Sequence, residues 1–173
     1  MTPEWSRPER LDTIGEQDRT VDIVADEHER AALARRFGIV AIDELAAHLI
    51  LRREATGILV TGTVTAALVQ ACSITGDALP IAIDEPVAVR FVEPSLSGEE
   101  IELSADALDT IEIEGGAIDL GEAAAETMAL SLDPFPRGPN AAAALRDAGI
   151  VSEEEVVPFN AFAGLKAKLE GRD

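Results

Sequence analysis

Polar and apolar residues alternate over Thr20-Val21-Asp22-Ile23-Val24-Ala25, which predicts a first strand. Asp26 follows, with Glu29 three residues on, the pairing that opens a helix with reciprocal caps. That helix runs to Phe37, with Leu33 and Phe37 on one face, and stops at Gly38, a residue suited to the left-handed turn after a helix. The period then drops to two. Leu45, Ala47, Leu49 and Leu51 share one side of a run that ends at Glu54. After the turn Ala55-Thr56-Gly57, a run from Ile58 to Ala71 sends Ile58, Val60, Val64, Ala66 and Leu68 one way, and Leu59, Thr61, Thr63, Thr65 and Ala67 the other. Gly62 interrupts this run and predicts a bulge or bend. The turn Ser73-Ile74-Thr75-Gly76-Asp77 leads to a third run, Leu79 to Val92, where Pro86 predicts an edge position or a bend. Short turns between long strands imply antiparallel neighbours.

Beyond Val92 the pattern shortens. Glu100-Ile101-Glu102-Leu103 and Ile111-Glu112-Ile113 read as short strands with acids facing water. Asp119 opens a second helix with Glu122 as its reciprocal cap and a stripe of Leu120, Ala123, Ala124, Thr127, Met128, Leu130 and Ser131. Asp133-Pro134-Phe135-Pro136 ends it. Asn140 to Ala148 predicts a short Ala-rich helix stopped by Gly149, and Phe162, Leu165 and Leu169 form a later stripe, with lysines late in the segment where a helix dipole favours them. The expected fold is α+β: an antiparallel, strongly curled sheet of long strands, a partly open barrel, covered by helices near Asp26–Phe37 and Asp119–Leu132. Residues 1–137 form the expected domain, and 138–173 a C-terminal helical tail, docked or mobile.

Charge adds the next constraint. Among 173 residues, 33 acids against 14 Lys and Arg leave −19, and only six residues are aromatic. Between Asp84 and Asp133 lie fourteen acids and the single cation Arg90. A chain that grips nucleic acid by its phosphates shows a basic face, so general nucleic-acid binding is disfavoured and attraction to basic partners is favoured. Arg30, Arg35 and Arg36 make the one basic cluster. No run of about 18 apolar residues is present, and the N-terminus carries acids and prolines where a leader needs a basic start and an apolar stretch. The single cysteine, Cys72, has no partner for an internal disulfide, so a cytoplasmic location is expected, with no membrane contact.

Catalytic chemistry is not legible. His28 and His48 stand in no metal or nucleophile motif, and no phosphate-loop or dinucleotide pattern occurs. Asp106, Asp109, Glu112 and Glu114 lack the alternate spacing and central glycine of a calcium loop. No enzyme, metal or cofactor is expected.

Several stretches, taken in order, resemble one family. Cys72-Ser73-Ile74-Thr75-Gly76-Asp77-Ala78-Leu79-Pro80 looks like the Cys-containing hairpin of the YceD family, and Ile118-Asp119-Leu120-Gly121-Glu122 leading to Leu132-Asp133-Pro134-Phe135-Pro136 is similar to its helix. Pro158-Phe159-Asn160-Ala161-Phe162-Ala163-Gly164-Leu165-Lys166 resembles its closing signature, with Val157 standing before Pro158 in place of Asn. Trp5-Ser6-Arg7-Pro8 and Arg35-Arg36-Phe37-Gly38 are similar to the shorter, alphaproteobacterial-type branch. The resemblance marks Cys72, Gly76, Asp119, Glu122, Pro134, Pro136 and Phe159 as motif positions. Many relatives carry Cys-x-x-Cys at the hairpin; Thr75 replaces the second cysteine here, so metal at Cys72 is not expected.

The resemblance implies a bacterial, non-catalytic role in 23S rRNA accumulation and large-subunit assembly. Joined to the charge, it gives two expectations. In the first, a basic ribosomal protein or a large-subunit assembly intermediate is held by acids drawn from Glu93, Glu99, Glu100, Glu102, Asp106, Asp109, Glu112 and Glu114. In the second, Arg30, Arg35, Arg36, Arg52 and Arg53 gather into a local basic face that contacts 23S rRNA directly.

Overall fold

Three strands of 14, 15 and 15 residues dominate the molecule: β3 (Ala41–Glu54), β4 (Gly57–Ala71) and β5 (Ala78–Val92). The structure, a computed structural model, describes residues 3–94, 109–113 and 115–150. Ahead of β3 come β1 (Pro8–Arg10), a single 3-10 turn (Leu11–Thr13), β2 (Arg19–Val24) and α1 (Glu27–Phe37). After β5 come β6 (Asp109–Glu112), β7 (Ala117–Asp119), α2 (Leu120–Leu130) and α3 (Ala141–Asp147).

The long strands form the predicted antiparallel meander within a five-stranded sheet of order β2-β3-β4-β5-β6, while β1 and β7 pair as a separate ribbon. The inward sides match the pattern: Leu45, Leu49, Leu51, Ile58, Val60, Val64 and Leu68 are all buried. Leu33 of α1 and Leu120, Ala124, Ala125 and Met128 of α2 close the same core, α1 against β3 and α2 against β4 and β5. Burying one such Leu or Met contributes about 1.5–3 kcal/mol. On the opposite side of the sheet stand Asp22, His48, Thr63, Thr65 and Asp84, all exposed, as antiparallel sheets permit.

Two features differ from the sequence expectation. The sheet is open, with β2 and β6 at its edges, and it is neither a partial barrel nor strongly curled. The pairing of β3, β4 and β5 is near-continuous, with one register shift between Ile42 and Glu44, so the bulges that would curl it are lacking. The sheet is also mixed: β6 runs parallel to β5, with Val89, Arg90, Phe91 and Val92 opposite Asp109 to Glu112. Residues 93–108 separate the two strands, enough chain for the crossover of about a dozen residues that parallel neighbours need.

Local details follow the same logic. Gly62 makes no bulge; it stays in register between Leu49 and Val87 at φ +148°, and a Cβ there would stand 2.0 Å from the His48 carbonyl oxygen. Pro86 leaves β5 unbroken, at a point where β4 lies on one side and no described strand lies on the other. α1 carries the predicted capping box, Asp26 accepting from the Glu29 N–H and Glu29 from the Asp26 N–H, both at 2.8 Å. Such a cap stabilises a helix by about 1 kcal/mol. α2 lacks its counterpart. Asp119 accepts from the N–H groups of Gly121 and Glu122, while the Glu122 carboxylate turns away to Arg36. Leu130, assigned to the apolar stripe, is 81 % exposed.

Candidate functional site

The concave surface that best joins charge to shape lies between β6 and the first turns of α2. Phe91, Ile111, Ile113, Ile118 and Ala123 line a groove of about 230 Å³, together with the carboxylates of Glu112, Asp119, Glu122 and Glu126. β6 sends Glu112 outward because Ile111 and Ile113, at alternate positions, turn toward the core. Glu122 and Glu126 lie four residues apart, on one face of α2.

These carboxylates are not equivalent. Asp119 is spent on structure: it caps α2 and accepts from the Ser6 hydroxyl at 2.5 Å and the Arg7 N–H at 2.8 Å, tying the N-terminal segment to the helix. Glu122 is bridged by Arg36 at 2.6 and 2.9 Å, and that guanidinium, which also reaches Glu4, has its pKa raised chiefly by Glu122. Glu112 and Glu126 are exposed and have no hydrogen-bond or ion-pair partner among the described residues.

Of the eight expected acidic residues, three, Glu93, Asp109 and Glu112, are among the described residues. Glu93 follows β5 directly, beside the Val92–Glu112 pair, and Asp109 begins β6, so Glu93, Asp109 and Glu112 share one edge of the sheet. Glu99, Glu100, Glu102, Asp106 and Glu114 lie outside the described residues. Arg90, the single cation of the acidic stretch, is occupied by Glu54 at 3.2 Å and the Thr56 hydroxyl at 2.6 Å, so it leaves the groove's charge unbalanced. Glu126 was not among the expected site residues; its spacing from Glu122 was the available signal.

The five arginines do not form one face. Arg30 and Arg36 sit on α1, beside the start of β3, while Arg52 and Arg53 occupy its far end, about 20 Å of strand from Ala46, the residue opposite the end of β2. Four of the five hold the fold together. Arg30 donates to the Ala25 carbonyl, Arg36 bridges Glu4 and Glu122, Arg52 bridges Asp18 and Glu54, and Arg53 donates to the carbonyls of Ile14 and Leu11. Arg35 is exposed, with no partner among the described residues.

Cys72 closes the β4–β5 turn. Its Sγ accepts from the N–H of Gly138 at 3.3 Å and of Thr75 at 3.5 Å, so the turn, with Gly76 at φ +76°, is clasped to the loop after α2. The Gly138 N–H first, then the Thr75 hydroxyl and the N–H groups of Thr75 and Ile74, outweigh burial and hold the thiol at about 6, far below its ordinary 9.0. Pro134 and Pro136 lie in that same loop, and the Ser73 N–H donates to the Pro136 carbonyl at 2.8 Å. Phe159 lies outside the described residues. Among the described residues, no three His, Cys, Asp or Glu side chains are grouped to hold a metal ion, and no helix is long and apolar enough to cross a membrane.

From residue 60 in β4 to residue 167, a span that takes in the Cys72 turn, the groove and α2, the sequence matches the family model described as large ribosomal RNA subunit accumulation protein YceD. The chain belongs to the YceD family. No curated protein and no solved structure matches it. The family's description names the accumulation of a ribosomal RNA and no reaction. Within this YceD chain, the motif positions Cys72, Gly76, Asp119, Glu122, Pro134 and Pro136 fall on two structural joints: the clasp of the β4–β5 turn and the N-terminus of α2.

Proposed function

We propose that this protein is a non-catalytic factor for 23S rRNA accumulation and large-subunit assembly, and that it acts by holding a basic segment of a ribosomal protein in the groove between β6 and α2. The observation that carries the reading is the pair Glu112 and Glu126: two exposed carboxylates, unpaired among the described residues, at the rim of a groove with an apolar lining. A lysine or arginine side chain has the matching form, a cationic head on an aliphatic stem. Glu93 and Asp109 on the same edge extend the negative field toward the partner, and a net charge of −19 speeds encounter with any basic chain. Family membership supplies the large-subunit context.

The test is capture of basic large-subunit proteins by the immobilised full chain, with added salt and with Glu112→Gln and Glu126→Gln combined. Capture that weakens with salt and falls by about tenfold in the double variant supports the reading, since two charge-assisted contacts are removed. Capture indifferent to both changes overturns it.

A second reading has one observation in its favour. Arg35 is exposed and has no partner among the described residues, and it lines a groove beside the start of β3 with Arg30, Glu27 and Asp43, so α1 offers one uncommitted cation to an RNA backbone. Capture of naked 23S rRNA fragments, abolished by Arg35→Glu, moves the function to α1.

A further inference from the structure

At the end of the sheet that carries the β4–β5 turn, a second groove of about 370 Å³ lies between the C-terminus of α1, the last residues of β4 and the loop after α2. Its lining is largely apolar, with Phe37, Ile39, Leu132, Pro134 and Pro136. Gln70 also lines it, and this is the buried polar side chain of the described residues, 6 % exposed. The Gln70 amide donates from Nε2 to the Asp133 carbonyl at 3.1 Å, while its Oε1 meets no donor among the described residues. A buried amide oxygen without a donor is costly, so the site calls for a ligand with an N–H to give and apolar groups to bury. Next in sequence to lining residues, Leu130 (81 %), Phe135 (71 %) and Ile74 (37 %) are large apolar side chains that stand exposed.

We propose that this groove is the docking site of the chain's own C-terminal segment, with Phe159, Phe162 and Leu165 covering its apolar lining and a backbone N–H of that segment donating to Gln70 Oε1. Attachment favours this occupant. The Ser73 N–H bonds to the Pro136 carbonyl, the Gly138 N–H to Cys72 Sγ, and the Asn140 side chain to Asp77 at 3.2 Å, so α3 starts beside the turn that flanks the groove. The nine residues that follow Ile150, through Phe159, span up to about 30 Å if fully extended, about three times the length of α3. A tethered segment also meets its site at high effective concentration, which a free peptide lacks. Charge agrees: Lys166 and Lys168 follow the apolar run, and Asp133, with no cationic partner among the described residues, lines the groove.

The experiment is hydrogen–deuterium exchange of the full chain, compared with Phe159→Ala combined with Phe162→Ala. In the unmodified protein, amides of residues 156–165 should exchange at least about tenfold more slowly than in a free chain, as expected for an interface of a few buried side chains and one hydrogen bond. In the variant that protection should vanish, with faster exchange at Leu132, Asp133 and Phe135 while β3 and β4 keep theirs. Free-chain exchange over 156–165 in the unmodified protein overturns the proposal, and this arm needs no variant to fold. Protection that survives the double substitution, or a variant with no effect on Leu132–Phe135, overturns it in favour of another site. Protection that appears only on raising the protein concentration assigns the groove to a second copy and overturns it too.

Discussion

Arg36 of α1 holds Glu122 of α2 through a two-point bridge, Nη2 to Oε1 at 2.6 Å and Nη1 to Oε2 at 2.9 Å. The same guanidinium takes Glu4 at 2.9 Å and lies 5.1 Å from the Phe37 ring centroid, so one side chain ties both helices to the N-terminal segment. In a chain of net charge −19 this cation is committed to architecture. The bridge also explains why Glu122, unlike Glu112 and Glu126, is paired among the described residues.

Replacing Arg36 with Gln is expected to destabilise the fold by about 1–2 kcal/mol, with Arg36→Lys recovering part of the loss, because the ion pairs are half-exposed and Lys cannot reproduce the two-point fork. Urea unfolding followed by fluorescence measures this directly: Trp5 is the sole tryptophan and is fully buried. An unchanged midpoint for Arg36→Gln refutes the structural role.

Arg7 and Glu29 set an acid limit. The Arg7 guanidinium beside Glu29, at 2.6 and 2.9 Å, holds that carboxyl below its ordinary 4.5. A carboxylate depressed in the folded state stabilises in full above its unfolded value and loses that contribution as pH falls through the folded one. Stability should therefore be flat in this respect above about pH 5 and fall below pH 4.5, with a shallower fall in Glu29→Gln. Chemical denaturation between pH 3 and 6 compares the slopes.

Cys72 gives the opposite end of the pH range. Its folded value of about 6 lies below the ordinary 9.0, so thiolate contributes stability that is complete above pH 9 and is lost as pH falls toward 6. The thiolate absorbance of the folded protein should rise with a midpoint near 6, and Cys72→Ser should flatten the gain in stability between pH 6 and 9. A midpoint above 8 shows that burial, and not the N–H groups of Gly138 and Thr75, governs the thiol.

What was legible in the sequence was periodicity. The alternation from Leu45 to Leu68 named the buried face residue by residue, and Asp26 with Glu29 named the start of α1. What was not legible depended on distant contacts. Glu122 has the spacing of a capping partner for Asp119, yet a guanidinium 86 positions away in sequence offers it a charged bridge, and the local bond is not made. Arginine clustering in sequence likewise failed as a guide to surface charge, because Arg30 and Arg53 satisfy backbone carbonyls. The parallel β5–β6 pair hides in the length of the connection and not in any residue pattern. Glu112 and Glu126 became a pair only when β6 and α2 lined one groove.

The close crossing of the N-terminal segment over α2 gives a final prediction. A Cβ built on Gly121 would lie 2.2 Å from the Trp5 carbonyl oxygen and 2.9 Å from its carbon, a clash with main chain that no side-chain rotation relieves. Gly121 is buried inside α2, where Ala would otherwise be favoured by about 1 kcal/mol. Gly121→Ala should nonetheless destabilise, by about 2 kcal/mol or more, because the segment carrying Trp5, Ser6 and Arg7 must lift from the helix and loosen the Ser6 and Arg7 bonds to Asp119. Gly116→Ala, where no atom lies within 4 Å of the added methyl, is the control and should change stability by less than about 0.5 kcal/mol. Trp5 emission separates the two readily: a red shift in folded Gly121→Ala reports the lifted segment, and an unshifted spectrum with unchanged stability contradicts the packing of Trp5 against α2.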